Sequence, residues 1–569
     1  MTSTPLDLTA KNTQTVASYV KSGQPWVWLT AAAISVAFII TVSLLFLTAA
    51  RGMPHFWPAD LMQAEYAEPG QQPIPILVEQ VSDEEVSTSR LKSAGIKLDD
   101  SVPFHTRALV KVGNRDLLGS DFRYLLDEWI VNRSHPQDAV VLERTEWGNF
   151  HGFITEVKQD GQVIATGSDP AWVAYQPLQQ RANALRDKLH AIEDGEIGEI
   201  NAGLEKIRLA NRRLELEGKT RESAPQLFAA LDAEKATFDA RYEKVRLELA
   251  AVKKEMRRDA LVLRAVDGTV KELELSEIIR AYRPNEMGTV AKIGTYLAKL
   301  WEFVSAPPRE ANTEGGIFPA IFGTVMMVIL MSIFVTPFGI LAALYLREYA
   351  KQGPVTQVIR IAVNNLAGVP SIVYGMFGLG FFVYFMGGNI DRLFYEESLP
   401  APTFGTPGIL WASLTLAILT LPVVIVATEE GLARIPRSIR EASLSLGATK
   451  AETLWRIVLP MASPAMMTGL ILAIARAAGE VAPLMLVGVV KLAPSLPLDS
   501  IFPFVHLERK FMHLGFHIYD VGFQSPNVEA ARPLVYATSF LLVLVIILLN
   551  ISAIRIRNRL REKYKALEG

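Results

Sequence analysis

Six stretches of this 569-residue chain are apolar for long enough to cross a bilayer, which takes about 20 residues in a helix. They run over 23–50, 317–346, 361–390, 398–428, 457–490 and 533–554, and several exceed one span, so their ends are expected at the interface. The polar stretch 51–316 between the first two reads differently. Short apolar-rich runs at 74–78, 108–112, 139–142 and 152–157, bounded by turn residues, predict strands, with a tight turn at Asp160-Gly161. From Leu178 the apolar positions change period: Leu178, Leu185, Leu189 and Ile192, then, after a slip at Gly195, Ile200, Leu204, Ile207 and Leu214. A break at 218–225 separates these from Leu231, Phe238, Tyr242, Val245, Leu249, Val252 and Met256. Such three- and four-residue steps predict two helices folded back as an antiparallel coiled-coil hairpin. Runs at 261–266 and 270–275 across Asp267-Gly268 predict a β-hairpin. The expected fold is a polytopic α-helical membrane protein with six spans and an extracytoplasmic β-rich module (71–172 and 259–284) carrying a coiled-coil arm (175–258).

Charge sets the expected orientation. Arg555, Arg557, Arg559, Arg561, Lys563 and Lys565 follow the last apolar run directly, and basic residues beside spans stay cytoplasmic. Six crossings return residues 1–25 to the cytoplasm as well. Arg347, Lys351 and Arg360 fall on that side, as do Arg434, Arg437, Arg440, Lys450 and Arg456, while Asp391, Glu396 and Glu397 outnumber Arg392 on the other. The first apolar run (26–50 as a helix) is longer than a signal-peptide core and follows a polar segment, so it reads as an uncleaved anchor. Residues 51–316 are then periplasmic. A net charge of −2 implies no nucleic-acid partner, and the absence of cysteine excludes structural disulfides and thiolate metal sites.

Candidate chemistry sits in two places. The fifth apolar run holds only two charges, Arg476 and Glu480. Charges in hydrocarbon usually face a protein interior or a watery path, and four-residue spacing puts these two on one helix face. They are either a path for an anion, with Arg476 offering forked donors and Glu480 tempering its grip, or an ion pair locking two spans together. Gly479 is expected to admit a neighbouring helix, and Pro483 to break the helix a turn later. The second place is 441–460, an amphipathic, charge-bearing segment between two apolar runs, which presents a helix to something in the water or is an ordinary surface helix. A nucleotide site is not expected: beside Gly218-Lys219-Thr220, Arg213 stands where a phosphate-binding loop needs glycine. His506, His513 and His517 read as solvated or interfacial side chains without an arranged acid partner, metal binding being the minority option.

The 441–460 segment, with Glu441-Ala442, Gly447 and a closing Leu459-Pro460, resembles the EAA loop of ABC importer permeases. Ala475-Arg-Ala-Ala-Gly-Glu-Val-Ala-Pro-Leu484 and Asn364-Asn-Leu-Ala-Gly-Val-Pro-Ser-Ile-Val-Tyr-Gly375 are similar to signatures of the PstA-type permeases of phosphate-specific ABC importers, and 428–436 and 440–442 also fit. The likeness covers about 317 to the end, plus the first span; the large insertion departs from the compact family form. The resemblance implies a type I ABC importer permease core over 317–554, an EAA loop over 429–460 and a basic cytoplasmic tail over 555–569. It implies ATPase coupling through Glu441, Ala442, Gly447, Leu459 and Pro460, with Gly447 making a tight turn and Leu459-Pro460 ending the loop. Arg476 and Glu480 would line the substrate pathway. Such a chain is a transporter subunit of the bacterial inner membrane and binds no cofactor. ATP and magnesium act on a PstB-like ATPase, beside a PstC-like second permease and a PstS-like periplasmic phosphate-binding protein. A permease for sulfate or molybdate, or a membrane sensor using the coiled coil, are the alternatives. For the insertion three roles stay open: stabilising the permease, docking the binding protein, or self-association.

Overall fold

Long apolar sequences with small residues and few breakers fold as helices that satisfy their own backbone, the one economical way across a bilayer for such segments. A computed structural model of the chain describes residues 22–96, 98, 102–525 and 528–564. It contains six helices of sufficient length and apolarity, Pro25–Phe56, Phe318–Tyr349, Ser371–Phe394, Ile409–Arg434, Lys450–Gly479 and Ala531–Arg559. Residues 1–21, assigned above to the cytoplasmic N-terminus, and 565–569 of the basic tail lie outside the described residues. The fourth span is the most buried and packs against the second and the fifth. Three of its buried hydroxyls bond back to carbonyls of the preceding turn, Ser413 to Ile409 and Thr415 to Trp411 at 2.7 Å and Thr420 to Leu416 at 2.8 Å, whereas that of Thr428 is left without a partner. The first span packs on the sixth and leaves most of its surface apolar and exposed.

Between the first two spans the chain builds two antiparallel sheets. Strands β1 (Leu61–Tyr66), β2 (Ile74–Ser87), β3 (Phe104–Lys111), β4 (Phe122–Leu126) and β5 (Ile130–Ser134) pair in the order β4-β3-β2-β1-β5. Strands β6 (Val140–Arg144), β7 (Phe150–Gln159), β8 (Gln162–Thr166), β9 (Asp259–Arg264), β10 (Val270–Glu274) and β11 (Ile278–Tyr282) form the second, β10-β9-β7-β6-β11, with β8 beside β7. The β7–β8 turn places both Asp160 and Gly161 at positive φ, 49° and 77°, the backbone sense that matches strand twist. Leu61, Leu77, Ala139, Val141 and Tyr282 form a buried cluster drawing on both sheets.

Three helices leave and rejoin the second sheet: α1 (Ser168–His190), α2 (Gly198–Leu216) and α3 (Pro225–Met256). The slip in the apolar period at Gly195 is a stretch of wider π-helical turns, Ala191–Ile197, joining α1 to α2. Ile192, Ile200, Val245, Val252 and Met256 form the buried seam, with Leu185, Leu189, Leu204, Phe238 and Leu249 packed on it. Tyr242 is exposed, while Phe238 fills the space above Gly203, where a Cβ would stand 2.4 Å from the ring. At the far end of α2, Arg213 pairs with Glu397, so the arm reaches back to the loop between the third and fourth spans. A last helix, α4 (Thr289–Ser305), leads toward the second span.

Three span boundaries differ from those read from hydropathy. Residues 361–366 belong to a separate helix, α5 (Pro354–Leu366), and the third span starts after Pro370, whose ring disfavours helix at Val369. The fourth starts at Ile409. The residues before it fold back so that the backbone amides of Phe404 and Gly405 bond the buried Asp391 carboxylate at 2.8 and 2.6 Å. The fifth runs from Lys450 to Gly479, with a π-helical stretch at Leu454–Val458, and is already over before Pro483. Hydropathy averages over composition and does not see where a proline or a folded loop interrupts the helical ladder.

Candidate functional site

The intramembrane charges sit where the fifth span ends. Arg476 lies in its last turn, and Glu480 has already left the helix, with ψ at 132°. The two still approach, Arg476 Nε standing 3.6 Å from Glu480 Oε1, an ion pair too long for a hydrogen bond. Their side chains remain 33% and 22% exposed, so the pair opens to a surface of this chain instead of filling its core. The other face of the helix, Ala473, Ile474, Ala477 and Ala478, is buried against the second and fourth spans. A Cβ on Gly479 would meet nothing within 4 Å, so no helix of this chain closes on it. The close approach is elsewhere. A Cβ on Gly375 would stand 2.7 Å from Pro483 Cα, so the third span packs directly on the turn after Glu480. The two separate sequence signatures, 364–375 and 475–484, thus meet in space. The third span opens at this contact, where Tyr374 donates its hydroxyl hydrogen to Leu366 O at 2.6 Å.

The second candidate, 437–460, is a pair of short helical segments at the far end of the fourth and fifth spans. Helix α6 (Arg437–Ser445) carries Glu441 and Ala442 on its exposed surface. Gly447 turns the chain at φ +88°, and no neighbour crowds it, so its backbone sense, not lack of room, requires glycine. The next helix begins with a capping box, Thr449 Oγ1 accepting from Glu452 N while Glu452 Oε2 accepts from Thr449 N at 2.9 Å. Ser443 and Thr453 hydroxyls tie the two segments at 2.8 Å. Leu459 is buried and Pro460 part-buried inside the continuous fifth helix, so they do not end the loop. The wide turns at Leu454–Val458 just before Pro460 offer one way to seat a residue without an N–H.

The sequence reading missed how this loop is held. Arg440 reaches the Glu348 carboxylate at 2.8 Å and the Leu432 carbonyl at 2.9 Å, and Lys450 bonds the Glu348 carbonyl. Arg360 on α5 bonds Glu429 at 3.3 Å. Charges bracketing the apolar runs on one side were the available signal. Leu446 and Trp455, 90% and 65% exposed, leave an apolar surface beside Glu441.

The histidines are not solvated. His506 is buried and bonds both Asp499, at 3.0 Å, and Glu508, at 3.1 Å, acid partners that the loop fold supplies. His513 caps α7 (Leu514–Tyr519), and burial pushes its pKa down to about 3 and that of His517 to about 4, so both are neutral. Among the described residues no group of three or more acidic or histidine side chains is placed to hold a metal ion.

Residues 335–565 match the family described as a binding-protein-dependent transport system inner membrane component. The chain is 38% identical over 206 residues to the phosphate transport system permease protein PstA of Mycobacterium leprae, covering 36% of this chain and 62% of that protein, less than two thirds of its length. It is 34% identical over 245 residues to the phosphate transport system permease protein PstA 1 of Mycobacterium tuberculosis (strain CDC 1551 / Oshkosh), covering 43% and 71%. Among solved structures, a chain of the inward-facing MetNI methionine ABC transporter aligns at 18% identity over 42% of this chain and 94% of that one, with a TM-score of 0.31, a likeness too slight to bear on the fold.

Proposed function

The chain belongs to the family of PstA-type ABC importer permeases, and from that premise we propose that it moves inorganic phosphate through the bacterial inner membrane as one permease subunit of an ATP-driven importer. The observation that carries this reading is the meeting of the two signatures at Gly375 and Pro483 beside an accessible, loosely paired Arg476. A guanidinium with unused donors suits a tetrahedral oxyanion, and a nearby carboxylate keeps the hold weak enough for release. By the same chemistry sulfate or molybdate also fits; the phosphate preference comes from the named relatives.

Coupling runs through the exposed loop. Glu441, Ala442 and the turn at Gly447, with Leu446 and Trp455 beside them, dock on an ATP-binding subunit of PstB type, which holds ATP and magnesium. Through Arg440, Lys450 and Glu348 a push on the loop reaches the second span and the fifth, tilting the bundle between inward- and outward-open forms. Leu459 and Pro460 then act as part of the lever, not as its hinge. A PstC-type permease completes the path, packing near Gly479, and a PstS-type binding protein delivers phosphate to the periplasmic face. Both termini are cytoplasmic, and 51–316, with its coiled-coil arm, is periplasmic.

Phosphate uptake by cells carrying Arg476→Ala or Glu441→Ala, at matched membrane levels and with sulfate uptake as control, tests the reading. Both variants are expected to lose phosphate uptake. Normal transport by Arg476→Ala makes the pair architectural, and sulfate transport by the intact protein makes it a different oxyanion permease.

A further inference from the structure

Helix α4 is apolar on two sides, and only one is accounted for within the chain. Tyr296, Leu300, Phe303 and Val304 pack with Phe56 and Ile317, where the first span ends and the second begins, and the Phe303 ring lies 4.9 Å from that of Phe56. Its charges are all committed: Lys292 to Asp60 at 2.5 Å, Lys299 to Glu143 at 2.8 Å, and Glu302 to Arg280 and Arg309 at 2.5 and 2.6 Å. The remaining side presents Val290, Ile293, Leu297 and Trp301, which are 86%, 45%, 58% and 70% exposed. Their steps of three, four and four residues make one stripe along the helix. Water is a poor environment for such a stripe.

We propose that this stripe lies in lipid, at the boundary of headgroups and acyl chains in the leaflet that the end of the first span reaches. Continuity argues for lipid over a protein cover. The inner side of α4 is seated on Met53 and Phe56, and the first span itself exposes an apolar surface along its length. Trp57, just past that span, lies 5.9 Å from Tyr296 of α4 and is itself part-exposed. Two tryptophans, Trp57 and Trp301, therefore stand by the span's end, where amphipathic rings favour the interface. The flank beyond the stripe carries Ala291, Gly294 and Ala298, with no charge to drag through headgroups. A helix with one anchored side, paired charges and a bare apolar stripe is the pattern of an interfacial helix. The insertion is then fixed to the bilayer along a helix as well as by two span ends, which sets the angle at which its arm meets the loop at Glu397.

The chain has no cysteine, so one introduced thiol is a unique label site. The full chain, purified with the subunits that accompany it, is placed in phosphatidylethanolamine–phosphatidylglycerol nanodiscs with bimane on Leu297→Cys. Lys206→Cys on the exposed side of α2 serves as the water reference. The label at 297 is expected to lose most of its emission to lipid carrying a shallow doxyl group and little to iodide, with the reverse at 206. Iodide quenching at 297 as strong as at 206 overturns the proposal, and so does protection from both quenchers, which means a protein covers the stripe. Val290→Cys, at the more open end of the stripe, gives the same readout if Leu297→Cys fails to assemble.

Discussion

Two arginines in apolar surroundings are held in opposite ways. Arg144, in the insertion, is 2% exposed and has its donors taken up: both terminal nitrogens bond the Asp116 carboxylate at 3.0 and 3.1 Å, Nε bonds Gly148 O at 2.9 Å, and a further donor reaches Trp147 O at 2.8 Å. Arg476, in the fifth span, makes no hydrogen bond to any described residue and keeps one carboxylate 3.6 Å away. A saturated guanidinium fixes a fold, because breaking its network strands buried polar groups. An unsaturated one costs the fold some stability for no structural return, which is the usual sign of a group kept for something that is not always there. The transport role proposed for Arg476 rests on that difference.

The largest effect expected from this contrast is on the insertion. Arg144→Met is expected to destabilise it by about 3 kcal/mol, the low end for breaking a buried pair, since Lys271 still reaches Asp116. Thermal unfolding followed by limited proteolysis of the insertion measures it; an unchanged midpoint would mean the network is not structural. In the membrane half the crowded point is backbone packing. Gly375→Leu forces the third span off Pro483 and is expected to cost about 1–3 kcal/mol, whereas Gly479→Ala, with open space around it, is expected to be near neutral in the isolated chain. Equal losses for the two would contradict the packing described here.

Acid separates the two halves next. Burial pushes the His151 imidazole down from 6.5 to about 3. In Glu143 burial raises the pKa, but Lys299 and Arg280 outweigh it and hold the carboxyl down at about 2, from 4.5. Both folded values lie below the unfolded ones, so each group supports the fold fully above its unfolded value and loses that support as the pH falls toward its folded one. The support these two groups give is therefore expected to fall from about pH 6.5 downward and further below about 4.5, while part-buried Glu79 and Glu314, whose carboxyls burial pushes up, act in the opposite sense. The fourth span over 409–428 has no ionisable residue. Protection from hydrogen exchange, relative to the intrinsic rate at each pH, should fall with acid in β6 and β7 and stay high in that span; a parallel fall in both would refute the contrast.

The same contrast explains what the sequence could tell. Six spans were legible because a run of some 20 apolar residues has few other fates. Their ends were not, because Pro370, the fold-back onto Asp391 and the turn after Gly479 are local events that a hydropathy average passes over. Arg476 and Glu480 stand out as the only charges in an apolar run, although Glu480 is no longer on the helix face that their spacing predicts. The pairing of Glu348 with Arg440 and of Arg360 with Glu429 is not legible in the sequence, since it depends on which span ends lie side by side, and neither are the acid partners of His506, which only the loop fold brings in. Turn residues were read more securely than contacts: Asp160-Gly161 and Gly447 carry their backbone conformation in their identity.

A small expected effect on stability is the sharpest test of the comparison. Arg476→Ala removes an ion pair that is part-exposed, long and without hydrogen bonds, and such pairs contribute about 0–1 kcal/mol. Glu480 is left 22% exposed at a helix end, where water or a neighbouring chain can reach it, so no buried charge is stranded. Unfolding of the purified variant should therefore shift by less than that of Gly375→Leu, while phosphate uptake in cells is lost. A large drop in stability together with lost uptake would mean that Arg476 acts as Arg144 does, as a structural tie. A small drop with uptake intact would leave it without a role in transport. Only the dissociation of the two, a stable protein that no longer transports, separates a guanidinium held for the substrate from one held for the fold.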